Sequence, residues 1–170
     1  MWNYRGQGRP PFAEEPGPGQ ESVWDYPRPP VTAPDTRRVR VLHGDRCLCD
    51  SRAAVRLLET ASPPTWYLPP AACALDELEP ASDRSFCEWK GRASYLALRD
   101  APELGAVAWC YPAPNARFAA LAGYLSFYPG KVACFVDDER VRPQPGGFYG
   151  GWMTSDIAGP VKGEPGTGGW

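Results

Sequence analysis

Prolines and glycines decide most of what this chain can become. It holds 21 Pro and 18 Gly in 170 residues, well above ordinary usage, so much of it must be irregular and joined by turns. They are dense at both ends. Residues 1–36 carry eight Pro and four Gly, with aromatic rings at Trp2, Tyr4, Phe12, Trp24 and Tyr26. That composition predicts an extended N-terminal arm, docked from about residue 23 onward, because a free chain gains nothing from large apolar rings. VWDYPRPP (Val23 to Pro30) is the part expected to be pinned, and the first ~20 residues are expected to be loose. Residues 143–170 mirror this pattern, with GGFYGGW and GPVKGEPGTGGW alternating glycine and aromatics. Such a tail cannot build its own core and must lie on its own domain or on a partner protomer, which makes a homodimer one expectation.

Between the arms, over 37–142, the pattern is short and mostly β. VRVLHGDRCLCD reads as a hairpin turning at His43-Gly44-Asp45. SRAAVRLLET reads as a short amphipathic helix, with Ala54, Leu57 and Leu58 on its buried side and Pro63-Pro64 forbidding its continuation. TWYLPP is a brief strand, and CALDELEP fits either a helical turn or a strand. RSFCEWK and GRASYLALRD form a second hairpin turning near Lys90-Gly91. AVAWCY is a further strand, and NARFAALAG fits a helix capped at Asn115 and closed by Gly123. YLSFYPG and KVACFVDDERV close the domain as a hairpin or meander with Asp137-Asp138 at a turn. Strands outnumber helices and tight turns join them, so the sheet should be antiparallel.

Several function classes fall away. Net charge is −2, with 18 basic and 20 acidic residues interspersed, so the clustered basic stripe of a duplex-binding surface is missing. No run approaches the ~20 apolar residues that cross a bilayer, and MWNYRGQGRPPF has no apolar core of a signal peptide. A cytoplasmic chain with six reduced cysteines is expected. Cys47 and Cys49 would share one strand face, but no second pair completes a tetrahedral set, so no metal site is expected. The single histidine, His43, sits in a hairpin turn, which leaves no basis for a histidine-dependent triad. No phosphate-cradling GxxxxGK[ST] or GxGxxG is present, and the residues name no cofactor.

What remains is a constellation of aromatics and two charges. Tyr67, Trp89, Trp109, Tyr111 and Tyr128 can gather around Glu59 and Lys90, with Tyr95 and Arg92 nearby. That grouping requires Lys90 to depart from strict alternation with Trp89 at the end of its strand. Two charges embedded in apolar blocks should pair, so Glu59 and Lys90 are expected within one side-chain contact of each other. A ring-lined Glu/Lys site would take a small polar molecule, flat or cationic. The competing reading is a β core closed by aromatics, with an ordinary ion pair.

LLETASPPTWYLPP, FCEWKGRASY, AWCYPAP and AGYLSFYPGKV resemble, in order and spacing, the blocks of the bacterial and fungal domain-of-unknown-function family numbered 427. The resemblance runs from about Arg38 to Val141, and the flanks WDYPRPP and PQPGGFYGGW look like those of its actinobacterial-type members. It implies a small, mainly antiparallel β domain, β-tent or partly open barrel-like, with one or two short helices. The family carries the designation nucleotidyltransferase. Nucleotide chemistry would bring Lys90 and Arg92 to the phosphates while a tryptophan stacks on the base. The well-known nucleotidyltransferase fold holds two metals with a Gly-Ser turn and paired aspartates on one strand. Here there is no Gly-Ser dipeptide, and Asp137 and Asp138 are adjacent and point apart.

Two functions therefore stand side by side. In one, a small molecule is bound or converted, with Glu59 as acid/base or cation-binding carboxylate and Lys90 as electrophilic or anion-binding group. Tyr67, Tyr95, Tyr111 and Tyr128 are its proton-bearing walls. In the other, the chain is a non-catalytic binding or assembly module that uses its aromatic arms.

Overall fold

The computed structural model describes residues 3–170, so Trp2 lies outside the described residues. Alternation sets the first sheet. In β3 (Val39–His43) the side chains of Val39 and Val41 are fully buried. Gly44, at φ +61°, turns the chain into β4 (Arg46–Ser51), and a positive φ costs glycine no Cβ clash. β11 (Ala133–Val136) pairs with the other edge of β3, and the Asp137-Asp138 turn leads into β12 (Glu139–Arg140). The sheet order is β12-β11-β3-β4.

A second sheet runs β2-β5-β6, from β2 (Val31–Asp35), β5 (Ala54–Leu58) and β6 (Thr65–Tyr67). The third runs β10-β9-β8-β7, from β7 (Leu78–Cys87), β8 (Gly91–Leu98), β9 (Ala106–Cys110) and β10 (Leu125–Phe127). Reciprocal hydrogen bonds between Leu68 and Leu125, at 2.8 and 2.9 Å, tie the second sheet to the third. All these pairings are antiparallel and the sheets do not close into a barrel, so the mainly β expectation holds. Among the described residues, no helix is long and apolar enough to cross a membrane.

Three local readings are corrected. The segment expected as a helix over Ser51–Thr60 is strand β5, paired on both edges. Ala54 and Leu58 join clusters on one face while Val55 and Leu57 join another. With both faces covered, alternation vanishes, and buried Ala54 and Leu57 imitate helical spacing. The Asn115 helix is a six-residue 3₁₀ segment, Ala116–Leu121, with Phe118 off helical geometry. The Asn115 side chain does not cap it; its Nδ2 donates to the Trp89 carbonyl at 2.7 Å. Finally, β10 and β11 belong to different sheets and make no hairpin.

The thiols are also rearranged. A bulge opposite Val41 and Leu42 makes Leu48 an extra residue, so Cys47 is exposed and Cys49 buried. The partner of Cys49 is Cys73, whose sulfur lies 2.9 Å away.

Both arms dock on the domain. β14 (Trp152–Met153) pairs with β13 (Arg142–Pro143) and inserts Trp152 into the main core, stacked on Trp66 at 5.9 Å. β1 (Glu21–Ser22) and β15 (Ile157–Ala158) pair in parallel, unlike the other strand pairs among the described residues. Above them Val23, Trp24 and Tyr26 pack with Ala61, Ile157 and Val161. Residues before 20, expected to be loose, also lie on the tail. The Glu14 amide donates to the Gly159 carbonyl at 2.9 Å, the Gly159 amide donates to the Glu14 carboxylate at 3.0 Å, and Phe12 stacks on Trp170 at 5.3 Å. The tail supplies the partners that composition alone could not reveal.

An ion network fastens arm, sheet and tail. Arg37 meets Asp35 at 2.8 Å and Asp156 at 2.9 Å, while Arg56 meets Asp35 at 3.1 Å and also Glu21. Burial alone would raise the Asp35 carboxyl, but hydrogen bonds and charge from Arg37, with the charge of Arg56, hold it below the usual range. Burial likewise opposes the lowered Asp156, where Thr154 and Arg37 prevail. A depressed carboxylate stabilises the fold above its unfolded pKa of about 3.9 and loses that contribution as pH falls through its folded value. Urea unfolding midpoints should therefore decline as pH drops below about 4. A midpoint constant from neutrality to well below that pH would show that the network contributes nothing.

Candidate functional site

Strand β9 lays out the site. Trp109 and Tyr111 are two residues apart and so share a face. Trp109 sits opposite Tyr95 on β8 and Ser126 on β10. Tyr67, at the end of β6, lies edge-on to Trp109 at 6.3 Å and tilted to Tyr111 at 6.4 Å. Tyr128, whose amide donates to the Val107 carbonyl at 2.9 Å, extends the row, its ring 4.5 Å from that of Trp109. The result is a line of rings, Tyr111–Tyr67–Trp109–Tyr128, along the floor of a cavity of about 830 Å³.

Seven residues singled out from sequence line this cavity: Glu59, Tyr67, Lys90, Tyr95, Trp109, Tyr111 and Tyr128. Trp89 and Arg92 do not. Trp89 packs against the ring cluster from outside, and Arg92 is exposed opposite Phe86. Strand β7 ends at Cys87, so Glu88-Trp89-Lys90 is a turn, where alternation no longer binds. That frees Lys90 to reach over the face of Tyr111, its Nζ 5.3 Å from the ring centre.

Glu59 and Lys90 do not form the expected ion pair. Glu59 meets Arg28 of the N-terminal arm at 3.4 Å, and Arg28 also donates to the Thr60 carbonyl at 3.0 Å. The docked arm supplies a cation nearer than the one the central blocks offer. Tyr95 shares a 2.7 Å hydrogen bond with Ser85.

Burial governs the tyrosines. It pushes the Tyr111 and Tyr128 hydroxyls above the ordinary tyrosine range, and neighbouring thiol and tyrosine groups add to the effect. Tyr67 is raised well above that range, by burial and then by Tyr111, and its buried hydroxyl has no hydrogen-bond partner among the described residues. All three remain protonated donors near neutrality.

The far wall went unseen in the sequence. Gln144 and the Gly147–Gly151 loop close it, and Lys131 stands at the Gly105 end. GGFYGG carried one usable signal, since glycine lets backbone approach a ring. A Cβ at Gly150 would lie 2.1 Å from Cη2 of Trp109. At the mouth, Phe86 and Phe148 are 75% and 81% exposed. Part of the rim comes from a break in the β7–β8 ladder between Pro80 and Arg84, where proline has no N–H to give.

Among the described residues, no three His, Cys, Asp or Glu side chains gather in a metal-binding group. Asp137 accepts from the Arg38 amide at 3.1 Å and Asp138 faces Arg40 at 3.6 Å, both outside the cavity. This donor set does not fit a two-metal centre. A search of curated proteins finds no match. A family profile does match, over residues 31–138, described as a domain of unknown function, DUF427, under the short name NTP_transf_9. The matched span covers most of the chain and every ring of the row, and the protein belongs to the DUF427 family.

Proposed function

We propose that this DUF427 domain holds a compact polar small molecule in the cavity along β9, for binding or for conversion. The observation that carries the reading is convergence: the second and third sheets and the C-terminal arm bring Glu59, Lys90 and a row of four rings around one space of about 830 Å³. That volume lies within the range of small-molecule sites, which pair apolar walls with a few placed polar groups. Arg28 fixes the Glu59 carboxylate, and Lys90 offers a cation over Tyr111. If chemistry follows binding, these two and the tyrosine hydroxyls are its proton and charge carriers. For a nucleotide, Lys90 and Lys131 are the lining lysines open to phosphate, and Arg92 is not a lining residue.

The assembly-module reading draws less support. Trp24 and Trp152, two of the arms' tryptophans, are fully buried inside this same chain.

A thermal-shift screen against nucleotides, metals and common metabolites tests the proposal. A ligand at about a hundredfold its Kd should raise Tm by roughly 5–10 °C. Lys90→Met should remove the shift while near-ultraviolet circular dichroism stays native. An absence of any shift, or one that survives both Lys90→Met and Trp109→Ala, would sink the cavity reading.

A further inference from the structure

Charge pairing around the cavity is one-sided. Its carboxylate Glu59 is already matched by Arg28 at 3.4 Å. Lys90 forms no ion pair among the described residues and rests over Tyr111. Lys131 donates to the Leu104 carbonyl at 2.6 Å and likewise has no carboxylate partner. Arg84 spends its guanidinium on the carbonyls of Ala81 and Asp83, at 2.8 and 2.7 Å. Asp83 at the rim is the one lining carboxylate without a cation. Unmatched positive charge therefore exceeds unmatched negative charge.

The ring faces tell the same story. A cationic ligand would need open faces, but Lys90 covers Tyr111, and Lys162 lies 5.2 Å from the centre of the Tyr149 ring. Of the ring hydroxyls, that of Tyr111 lines the cavity, stays protonated through burial and can donate to an acceptor, while that of Tyr128 is shared with Tyr95. Lys131 stands at the Ala106 end of β9, its amide bonded to the Tyr128 carbonyl at 3.0 Å, and Lys90 stands at the Tyr111 end. The row of rings between them follows the strand for roughly 15 Å at ~3.3 Å per residue.

From this arrangement we infer that the ligand of the cavity is a planar, acceptor-rich anion. Its flat body lies along the ring row, with Phe86 and Phe148 at the mouth, and its acidic group meets Lys90 or Lys131. A flat cation is disfavoured by the same charges. The inference rests on the cavity reading above and adds the ligand's class to it.

A matched pair of fluorescent probes separates the two. Anilinonaphthalene sulfonate is a flat aromatic anion, and phenylnaphthylamine has the same rings without the sulfonate. Titrated into the full chain at low salt, the sulfonate should bind one-to-one and about tenfold or more tighter than the neutral probe. Lys90→Met with Lys131→Met should bring the sulfonate down to the level of the neutral probe and leave the latter unchanged. Lys90→Arg with Lys131→Arg, which keeps both charges, should retain most of the preference. If the neutral probe binds as tightly as the sulfonate, or the methionine pair leaves the sulfonate unaffected, the anion assignment falls and the cavity reading survives. If neither probe binds natively folded protein, the cavity reading falls with it.

Discussion

Trp152→Ala should destabilise the protein by about 3–5 kcal/mol, as expected for deleting a fully buried large aromatic side chain. Its ring is 0% exposed and stacks on Trp66 at 5.9 Å and 21°. Its indole N–H donates to the Phe127 carbonyl at 2.9 Å, and its amide donates to the Pro64 carbonyl at 2.9 Å. Truncation leaves both a void between the sheets and a buried carbonyl without its donor. Domains of this size are stable by about 5–15 kcal/mol, so one such loss approaches the whole margin. Trp152→Phe separates the two effects: it keeps most of the volume and should cost about 1–3 kcal/mol for the stranded carbonyl. Urea unfolding at neutral pH reads both. A Trp152→Ala midpoint close to the parent's would mean that the tail does not hold the core together.

Gly150→Val should weaken ligand binding by about tenfold or more while the fold persists. A Cβ at this position would stand 2.1, 2.8 and 2.9 Å from three atoms of the Trp109 ring, far inside any real contact. Relief requires a shift of the Trp109 ring or of the Gly147–Gly151 backbone, and either one alters the cavity wall. The overpacking should cost about 1–3 kcal/mol of stability. Affinity for anilinonaphthalene sulfonate should fall by about tenfold or more, because the central ring of the row no longer presents its face. Phe148→Ala, at an 81% exposed position, is the control for folding and should leave stability unchanged. Probe binding by Gly150→Val at the parent's affinity would show that Trp109 is not part of the binding surface.

Where side chains alternate on a half-buried strand, the sequence was readable. Val39 to His43 with its Gly44 turn is one case, and the Cys87-to-Gly91 hairpin is another. β5 was not, because apolar residues on both faces erase the two-residue period. Site residues followed the same rule. Trp109 and Tyr111 declare their shared face by their spacing, and aromatic density near Tyr67 and Tyr128 brought them in. Glu59 lines the cavity but meets Arg28 rather than Lys90, since Arg28 lies in an arm whose docking depends on long-range contacts. Lys131 and the Gly147–Gly151 wall carry no local pattern that separates a wall from a loop.

Docking of the arm against the tail imposes an order on synthesis. Glu14 and Gly159 are 145 residues apart in the chain, yet each bonds the other. Emerging from a ribosome at ≈ 5–20 residues per second, the arm waits for its binding surface for on the order of ten seconds. Trp24 and Tyr26 have no complete burial site during that interval, although their partners Ala61 and Leu58 are already made. The three sheets can pair first, from residues that precede the tail, and the arm and tail then zip together over them as one late step. A nascent chain stalled before Trp152 would consequently leave Trp24 and Tyr26 without Ile157 and Val161, and Trp66 without its stacking partner.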